Sequence, residues 1–253
     1  MIICGTTGEA CTLSDQEHVD AIEFAVKHTA GRVPVIAGTG SNDTAYSAEL
    51  SKTAEQLGAD GLLVVTPYYN KTTQGGLVKH FFTIADSVSI PIIVYNVPAR
   101  TMLNIAPDTY FELSKHENIV ATKEAGGQMG AIVQTRALCG GDLDIYSGND
   151  NEIVPILSLG GIGVISTLSN ILPRQTHDIC ELYFNGNVKE SADLQIKYIQ
   201  LIDALFCEVN PIPVKTAMEI MGLCGGELRP PLYEMEEKNR QRLVKAMRDV
   251  GLV

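Results

Sequence analysis

The sequence predicts an α/β fold in which parallel strands alternate with helices. Short runs of β-branched residues recur along the chain, and segments of helical periodicity lie between them. Four of these runs start at Val33, Leu62, Ile92 and Ile119, about 30 residues apart, which is the length of one strand–helix unit. The runs are apolar throughout and do not alternate with polar residues, so we expect a sheet that helices cover on both faces.

The predicted strands and helices follow one another in order. The strands lie at 33–37, 62–66, 92–95, 119–123, 143–146 and 163–166. Ser14 and Glu17 match a capping box, which begins a helix that runs to about Ala30, and Asn42 or Asp43 begins the next helix. Further helices are predicted at 74–86, 107–115, 128–138, 151–159, 174–185, 188–207, 214–221 and 232–250.

A parallel sheet can close into a barrel or stay open with helices on both faces. No GxGxxG or GxxxxGK[ST] motif follows any strand, which weighs against the nucleotide-binding form of the open sheet. Polar residues follow the strands, at the end where barrel enzymes carry their active sites; they lie at 5–9, 66–69, 95–96, 123–124, 147–150 and 166–167. We therefore expect a barrel over residues 1–186 and a C-terminal helical layer over 187–253.

The composition of the chain limits its possible binding partners and its cellular compartment. A net charge of -11 argues against nucleic acid and anionic membrane as partners. Six cysteines are scattered without a CxxC pair, which is typical of reduced thiols in a cytoplasmic protein. The first residues do not resemble a signal peptide, and no apolar run approaches the roughly 20 residues of a membrane helix. No spacing of histidines or carboxylates indicates a metal site.

The functional interpretation depends mainly on Lys123. It ends the short apolar run that begins at Ile119, and lysine is rarely buried without a partner. Its ammonium group could simply extend into water from the strand end. Alternatively, burial could keep the amine neutral so that it attacks a ketone, because desolvation lowers the pKa of a lysine.

Seven stretches together resemble the family of 4-hydroxy-tetrahydrodipicolinate synthases, also called dihydrodipicolinate synthases. These are Schiff-base aldolase-type lyases of lysine and diaminopimelate biosynthesis. The resemblance covers essentially the whole chain in the right order. The stretches are Gly-Thr-Thr-Gly-Glu at 5–9, Thr-Pro-Tyr-Tyr-Asn at 66–70, Tyr-Asn-Val-Pro-Ala-Arg-Thr at 95–101, the Lys123 strand, Ser-Gly-Asn-Asp at 147–150, Gly-Val-Ile-Ser at 163–166 and Asn-Pro-Ile-Pro-Val-Lys at 210–215.

The resemblance implies a (β/α)8 TIM barrel that condenses pyruvate with L-aspartate 4-semialdehyde. Compared with the family, the chain is expected to lack strand 1, helix 1 and most of strand 2, and to carry a C-terminal helical extension. The strands starting at Val33 and Gly163 would then have unpaired edges, and the chain alone would be insoluble or inactive. The implied assembly is a homotetramer built from two dimers. No cofactor is implied, because the reaction proceeds through a covalent imine between lysine and pyruvate.

The resemblance also assigns roles to individual residues. Lys123 matches the lysine that forms the imine, and Tyr95 matches the tyrosine that moves protons to and from it. Thr6 and Tyr69 match the relay partners of that tyrosine, with Tyr69 donated across a dimer interface.

Four more residues match the substrate-binding positions of the family. Thr7 matches a residue that holds the pyruvate carboxylate, and the carbonyl of Ile165 matches one that faces the lysine. Arg100 matches an arginine for the carboxylate of the second substrate. Gly148 matches a glycine of the pocket wall, although an ordinary turn glycine explains it nearly as well.

Feedback by lysine is a separate expectation. His18, Asn42 and Tyr68 match parts of an allosteric pocket for L-lysine. Tyr46 replaces the glutamate that receives the lysine ammonium group, and Asp15 replaces a histidine, so we expect weak inhibition.

Two alternative functions remain at this point. One is a sister Schiff-base lyase, such as an N-acetylneuraminate lyase or a 2-keto-3-deoxy sugar acid aldolase, and Arg100 followed by Thr101 argues against it. The other is a non-catalytic barrel that only binds a partner.

Overall fold

The computed structural model describes all 253 residues and contains one parallel sheet. Its seven strands lie side by side in chain order, and every neighbouring pair is parallel. They are β1 (Ile2–Ile3), β2 (Ile36–Gly38), β3 (Gly61–Val65), β4 (Ile92–Asn96), β5 (Ile119–Glu124), β6 (Asp144–Ser147) and β7 (Gly163–Val164). The predicted α/β class with a parallel sheet is therefore confirmed.

Twelve α-helices accompany the sheet. Between the strands lie α1 (Asp15–Thr29), α2 (Thr44–Gln56), α3 (Gln74–Ala85), α4 (Pro98–Thr101), α5 (Pro107–Leu113), α6 (Met129–Cys139) and α7 (Ile153–Ser158). After the last strand come α8 (Pro173–Phe184), α9 (Val188–Lys197), α10 (Ile199–Leu205), α11 (Ile212–Ile220) and α12 (Glu237–Asp249). None of them combines the length and the apolar character needed to cross a membrane.

Local side-chain contacts explain where the first two helices begin. The Ser14 hydroxyl accepts from the Glu17 backbone N–H while the Glu17 carboxylate accepts from the Ser14 backbone N–H, so the predicted capping box is present. At α2 the carboxylate of Asp43 accepts from the backbone N–H groups of Ala45 and Tyr46. Of the two residues predicted to begin this helix, Asp43 is therefore the cap.

Two apolar clusters hold the chain together. The larger lies between the strands and helices α1, α2, α3, α5 and α6, and its fully buried side chains include Ile22, Leu62, Phe81 and Ile119. Each of these side chains contributes roughly 1.5–3 kcal/mol through the hydrophobic effect. The second cluster joins helices α10, α11 and α12 to residues 168–172, so the C-terminal helices pack directly on the segment that follows β7.

Several predicted elements differ from those observed. The helix predicted over 188–207 is two helices that meet at Tyr198, and because the Tyr198 side chain is buried in the C-terminal cluster, tertiary packing places the break without any glycine or proline. The last helix starts at Glu237 and not at residue 232, since the preceding Glu236 is extended. The strand predicted over 33–37 is shifted to Ile36–Gly38.

The prediction that the strand starting near Val33 has an unpaired edge was wrong. Ile2 and Ile3 pair with Ile36 and Ala37, so β1 covers that edge. The two outer strands of the sheet are β1 and β7, which do not pair with each other.

Candidate active site

Lys123 and Tyr95 lie side by side at the carboxyl ends of β5 and β4. The two residues are register partners in the parallel pair, which aims both side chains to the same face of the sheet. The Lys123 Nζ atom lies 4.2 Å from the centroid of the Tyr95 ring. The two residues that the sequence predicts as the chemical centre therefore touch each other.

Burial controls the charge of Lys123. Desolvation lowers the pKa of its amine from 10.5 to about 8, with the positive charge of Arg100 acting in the same direction and Asp150 opposing it. An amine with this pKa is neutral in a substantial fraction of molecules near neutral pH, which a nucleophile requires. Of the two interpretations of Lys123, a solvated strand-end ammonium and a buried amine, the structure favours the second.

The hydroxyl of Tyr95 is also buried and stays protonated. Burial raises its pKa, while the Arg100 charge and the Thr6 side chain oppose the rise. Thr6 lies in a short 3-10 turn, Thr6–Gly8, that follows β1 at the same end of the sheet. A phenol between a lysine and a second hydroxyl can both accept and donate protons.

Thr7 and Arg100 are linked through Asn210. The Asn210 side-chain amide donates to the Thr7 hydroxyl at 3.0 Å, and an Arg100 guanidinium nitrogen donates to the Asn210 backbone carbonyl at 3.0 Å. Asn210 lies two residues before the start of α11, so the C-terminal helical layer fixes two residues at the mouth of the site.

A cavity of about 1270 Å³ opens at this end of the sheet. Its lining includes seven predicted site residues, namely Thr6, Thr7, Tyr95, Arg100, Lys123, Gly148 and Ile165. A Cβ atom on Gly148 would lie 2.7 Å from the Ala125 side chain and 3.0 Å from the Glu124 carbonyl, so this position excludes any larger residue. Gly148 is thus a close-packed wall of the cavity and not an ordinary turn glycine.

Tyr69 lies outside this cavity. Its side chain is 91% exposed, and its backbone adopts a φ of 68°, which is unfavourable for a residue other than glycine. Within one chain the structure therefore brings Thr6 to Tyr95 but does not bring Tyr69 there.

The predicted allosteric residues are only partly together. His18 and Tyr68 line a second cavity of about 260 Å³, which Asp15 and Tyr46 also line. Asn42 does not line it, and its carbonyl instead accepts from the Asn70 side chain at 2.9 Å.

The sequence interpretation assigned no role to four residues at or near the site. Asp150 is buried near Lys123, Asn210 links Thr7 to Arg100, and Lys215 pairs with Glu9 at 2.7 Å. Asn210 and Lys215 fall in one of the seven matching stretches and Asp150 in another, which is the signal that could have found them. No three His, Cys, Asp or Glu side chains are grouped so as to hold a metal ion.

Comparisons with known proteins agree with this geometry. The model of the Dihydrodipicolinate synthetase family matches residues 1–250. A 4-hydroxy-tetrahydrodipicolinate synthase of Caldicellulosiruptor saccharolyticus is 59% identical over 252 residues, which are 100% of this chain and 85% of that protein.

Solved structures give the same result. The crystal structure of dihydrodipicolinate synthase from Aquifex aeolicus has a TM-score of 0.97 and 44% identity, covering 99% of this chain and 86% of that one. The chloride-inhibited enzyme of Acinetobacter baumannii complexed with pyruvate has a TM-score of 0.97 and 40% identity, with coverages of 100% and 87%. The chain belongs to the dihydrodipicolinate synthetase family of lyases.

Proposed function

We propose that this chain performs the reaction of its family, the condensation of pyruvate with L-aspartate 4-semialdehyde to 4-hydroxy-tetrahydrodipicolinate, through an imine between pyruvate and Lys123. The observation that carries the proposal is the Lys123 amine, whose pKa burial lowers to about 8 and which stands 4.2 Å from the Tyr95 ring inside the large cavity. The pyruvate complex of the Acinetobacter baumannii relative supports the same first substrate.

The imine supplies the chemistry that the condensation needs. The neutral Lys123 nitrogen adds to the keto carbon of pyruvate, and the keto oxygen leaves as water after gaining two protons. The resulting iminium withdraws electrons, so a methyl proton can leave and the enamine carbon can attack the aldehyde of the second substrate. These reaction steps require no cofactor.

Tyr95 is the proposed proton carrier. It lies beside Lys123 and keeps its proton at neutral pH, since burial raises its pKa. Thr6 would pass protons between Tyr95 and Tyr69 of the partner subunit, in a relay of hydroxyl groups that each donate and accept. This arrangement makes a dimer the smallest complete unit, and we propose a homotetramer formed by two such dimers.

The remaining predicted residues would hold the substrates. Thr7 would bind the pyruvate carboxylate, with its hydroxyl oriented by Asn210. The Ile165 carbonyl would face the lysine, and Gly148 would leave room for the substrate. Arg100 is exposed at the cavity and has guanidinium nitrogens free for the carboxylate of the second substrate.

The sister lyases that act on sugar acids are the second candidate. Arg100 in this cavity suits the carboxylate that the semialdehyde brings as the second substrate. The 59% identical relative is a 4-hydroxy-tetrahydrodipicolinate synthase, which favours the condensation with the semialdehyde. A coupled assay with the next reductase distinguishes the two, because only the condensation product is its substrate.

Trapping the imine tests the proposal directly. Pyruvate with borohydride should reduce an adduct onto Lys123, which mass spectrometry of a tryptic digest would locate, and Lys123→Ala should abolish it. Lys215 is the internal control, since it lines the same cavity but is paired with Glu9. An adduct on Lys215 or Lys71, with Lys123 unmodified, would refute the assignment.

A further inference from the structure

Asp150 is a buried carboxylate whose two oxygens are bonded unequally. The residue is 1% exposed. Its Oδ2 atom accepts from the backbone N–H groups of Thr167 at 3.0 Å and Leu168 at 2.9 Å. Burial raises the pKa of this carboxyl, while the Ser166 side chain, the two backbone donors and the charge of Lys123 oppose the rise. The Oδ1 atom is buried without any hydrogen-bond partner. Leaving a carboxylate oxygen buried in this way is costly, so it calls for a functional explanation.

The position of Asp150 brings its charge within electrostatic reach of the reacting amine, although the two side chains form no direct ion pair. Asp150 starts the short 3-10 turn Asp150–Glu152 after β6, the strand that pairs with the Lys123 strand. Its two N–H donors lie just after β7, on the segment that carries Ile165 into the cavity. Asp150 itself does not line the cavity, so substrate does not touch it.

Few charged groups reach Lys123. Two ionised side chains act on its amine, with Asp150 raising its pKa and Arg100 lowering it. Tyr95 from β4 and Tyr146 from β6 are the titratable neighbours paired in register with Lys123, and burial raises the pKa of both phenols. Glu124, the next residue, points to the opposite face of β5, where Tyr110 and Asn96 donate to it.

We propose that Asp150 is the buried counter-ion of the iminium formed on Lys123, a positioning residue that stabilises this cation across the wall of the cavity. The inference rests on the proposed function, because it concerns the imine. This role explains why two backbone donors hold one oxygen of Asp150 while the other has no backbone donor. The donors fix the carboxylate in place, and it faces the Lys123 nitrogen, which carries a lasting positive charge only as the iminium.

A charge balance gives the proposal a specific signature. When the amine is neutral, the reaction is amine plus ketone plus one proton, giving iminium plus water, and a positive charge appears beside Asp150. When the amine is already protonated, ammonium plus ketone gives iminium plus water, and the charge beside Asp150 does not change. Asp150 should therefore favour the imine only above the pH at which Lys123 loses its proton.

The test measures the apparent affinity for pyruvate, by borohydride trapping, across pH in the wild type and in Asp150→Asn. The amide oxygen of asparagine can keep both backbone bonds while the charge is lost. An opposite charge within about 4–6 Å shifts a pKa by about one unit or more. The affinity of the wild type divided by that of Asp150→Asn should therefore rise from near one at low pH to about tenfold above pH 8. The fall in trapping at high pH should begin at a lower pH in the variant, because Asp150 raises the pKa of Lys123 in the wild type.

Glu124→Gln is the matched control, since it removes another buried carboxylate, on the face of β5 opposite to Lys123. It should leave the pH at which trapping begins to fall unchanged. If the ratio of the wild-type affinity to the Asp150→Asn affinity were the same at every pH, the counter-ion proposal would be wrong. Asp150 would then only hold the neighbouring backbone in place. Absence of any adduct in the wild type would instead refute the proposed function.

A second variant covers the case in which Asp150→Asn does not fold. In Asp150→Ala the two backbone donors are left free, and formate is small enough to replace the carboxylate. Formate, compared with equal chloride, should restore trapping above pH 8 and have little effect below it. Equal trapping in both salts would contradict the proposal.

Discussion

The Lys215 Nζ atom lies 2.7 Å from Glu9 Oε2, which ties helix α11 to the loop that carries Thr6 and Thr7. The backbone N–H of Arg229 donates to the other Glu9 oxygen at 3.0 Å. Glu9 has a φ of 56°, in the left-handed region, so its conformation depends on these contacts. The C-terminal layer therefore shapes the loop of Thr6 and Thr7 through a contact between residues 206 positions apart in the chain.

We expect Lys215→Met to weaken pyruvate binding more than it slows the chemical steps. The variant leaves the Glu9 carboxylate, whose side chain is only 10% exposed, without its cation, which costs about 1–3 kcal/mol. The loop should loosen and KM for pyruvate should rise. Lys245→Met is the control, because the Lys245–Asp249 pair is exposed and contributes little. Equal effects of the two variants would show that the buried pair does not position the loop.

The positive charge of Lys123 should destabilise the folded protein. Its folded pKa of about 8 lies below the ordinary 10.5, so below pH 8 the protein carries a buried charge that costs on the order of 3 kcal/mol. That cost falls as pH rises from about 8 and disappears above the ordinary pKa. Lys123→Met should thus unfold at a higher denaturant concentration at pH 7, with a gap that narrows by pH 10. A constant or reversed gap would mean that burial does not lower this pKa.

How far the sequence predicts the site depends on the range of the contacts involved. Lys123 and Tyr95 could be placed together because both end apolar runs in adjacent parallel strands. The pairing of Glu9 with Lys215 and the burial of Asp150 could not, since they arise from packing between segments far apart in sequence. The break at Tyr198 was missed for the same reason, because no local residue marks it.

Tyr95→Phe should fold normally and lose catalysis. The phenyl ring keeps the contact with the Lys123 amine, and only the hydroxyl that we propose to carry protons is lost. Removing a general acid–base group lowers kcat by about 10²–10⁴-fold. Tyr146→Phe is the matched control, since Tyr146 lines the same cavity and pairs with Lys123 from the other neighbouring strand. If Tyr146→Phe were the more damaging change, the proton carrier would have been assigned to the wrong tyrosine.

L-Lysine should inhibit this enzyme weakly. In the smaller cavity the Tyr46 hydroxyl donates to the Asp15 carboxylate at 2.7 Å, and burial and Asp15 raise the pKa of Tyr46 to about 12. One oxygen of the only carboxylate that lines this cavity therefore already accepts from Tyr46 and is less available to an ammonium group. Glu49 does not compensate, because it pairs with Lys52 and does not line the cavity.

Tyr46→Glu tests this explanation by supplying a second carboxylate. One new charge-assisted hydrogen bond of about 1.5 kcal/mol should strengthen inhibition by about tenfold. Tyr46→Phe is the control. It frees Asp15 from its hydrogen bond with Tyr46 but adds no carboxylate, so it measures the first effect without the second. Sub-millimolar inhibition of the unaltered enzyme would show that the cavity accepts lysine as it stands.

Tyr69 should act in the active site of a second copy of the chain. An aromatic side chain that is 91% exposed on a strained backbone gains nothing within one subunit, and such strain of about 1–3 kcal/mol is retained where function requires it. A symmetric dimer would place each Tyr69 at the site of its partner. Tyr69→Phe should lose most activity while the oligomer survives in analytical ultracentrifugation.

Subunit mixing decides whether Tyr69 works across the interface. Tyr69→Phe and Lys123→Ala are each expected to be inactive alone. In a mixed dimer one site combines the intact Lys123 of the first chain with the intact Tyr69 of the second, whereas the other site lacks its lysine. Equal mixing followed by reassociation should therefore restore about a quarter of the wild-type activity, since half of the dimers are mixed and each has one working site. A mixture that stays inactive, although native mass spectrometry finds mixed dimers, would place Tyr69 in the site of its own chain or outside the relay altogether.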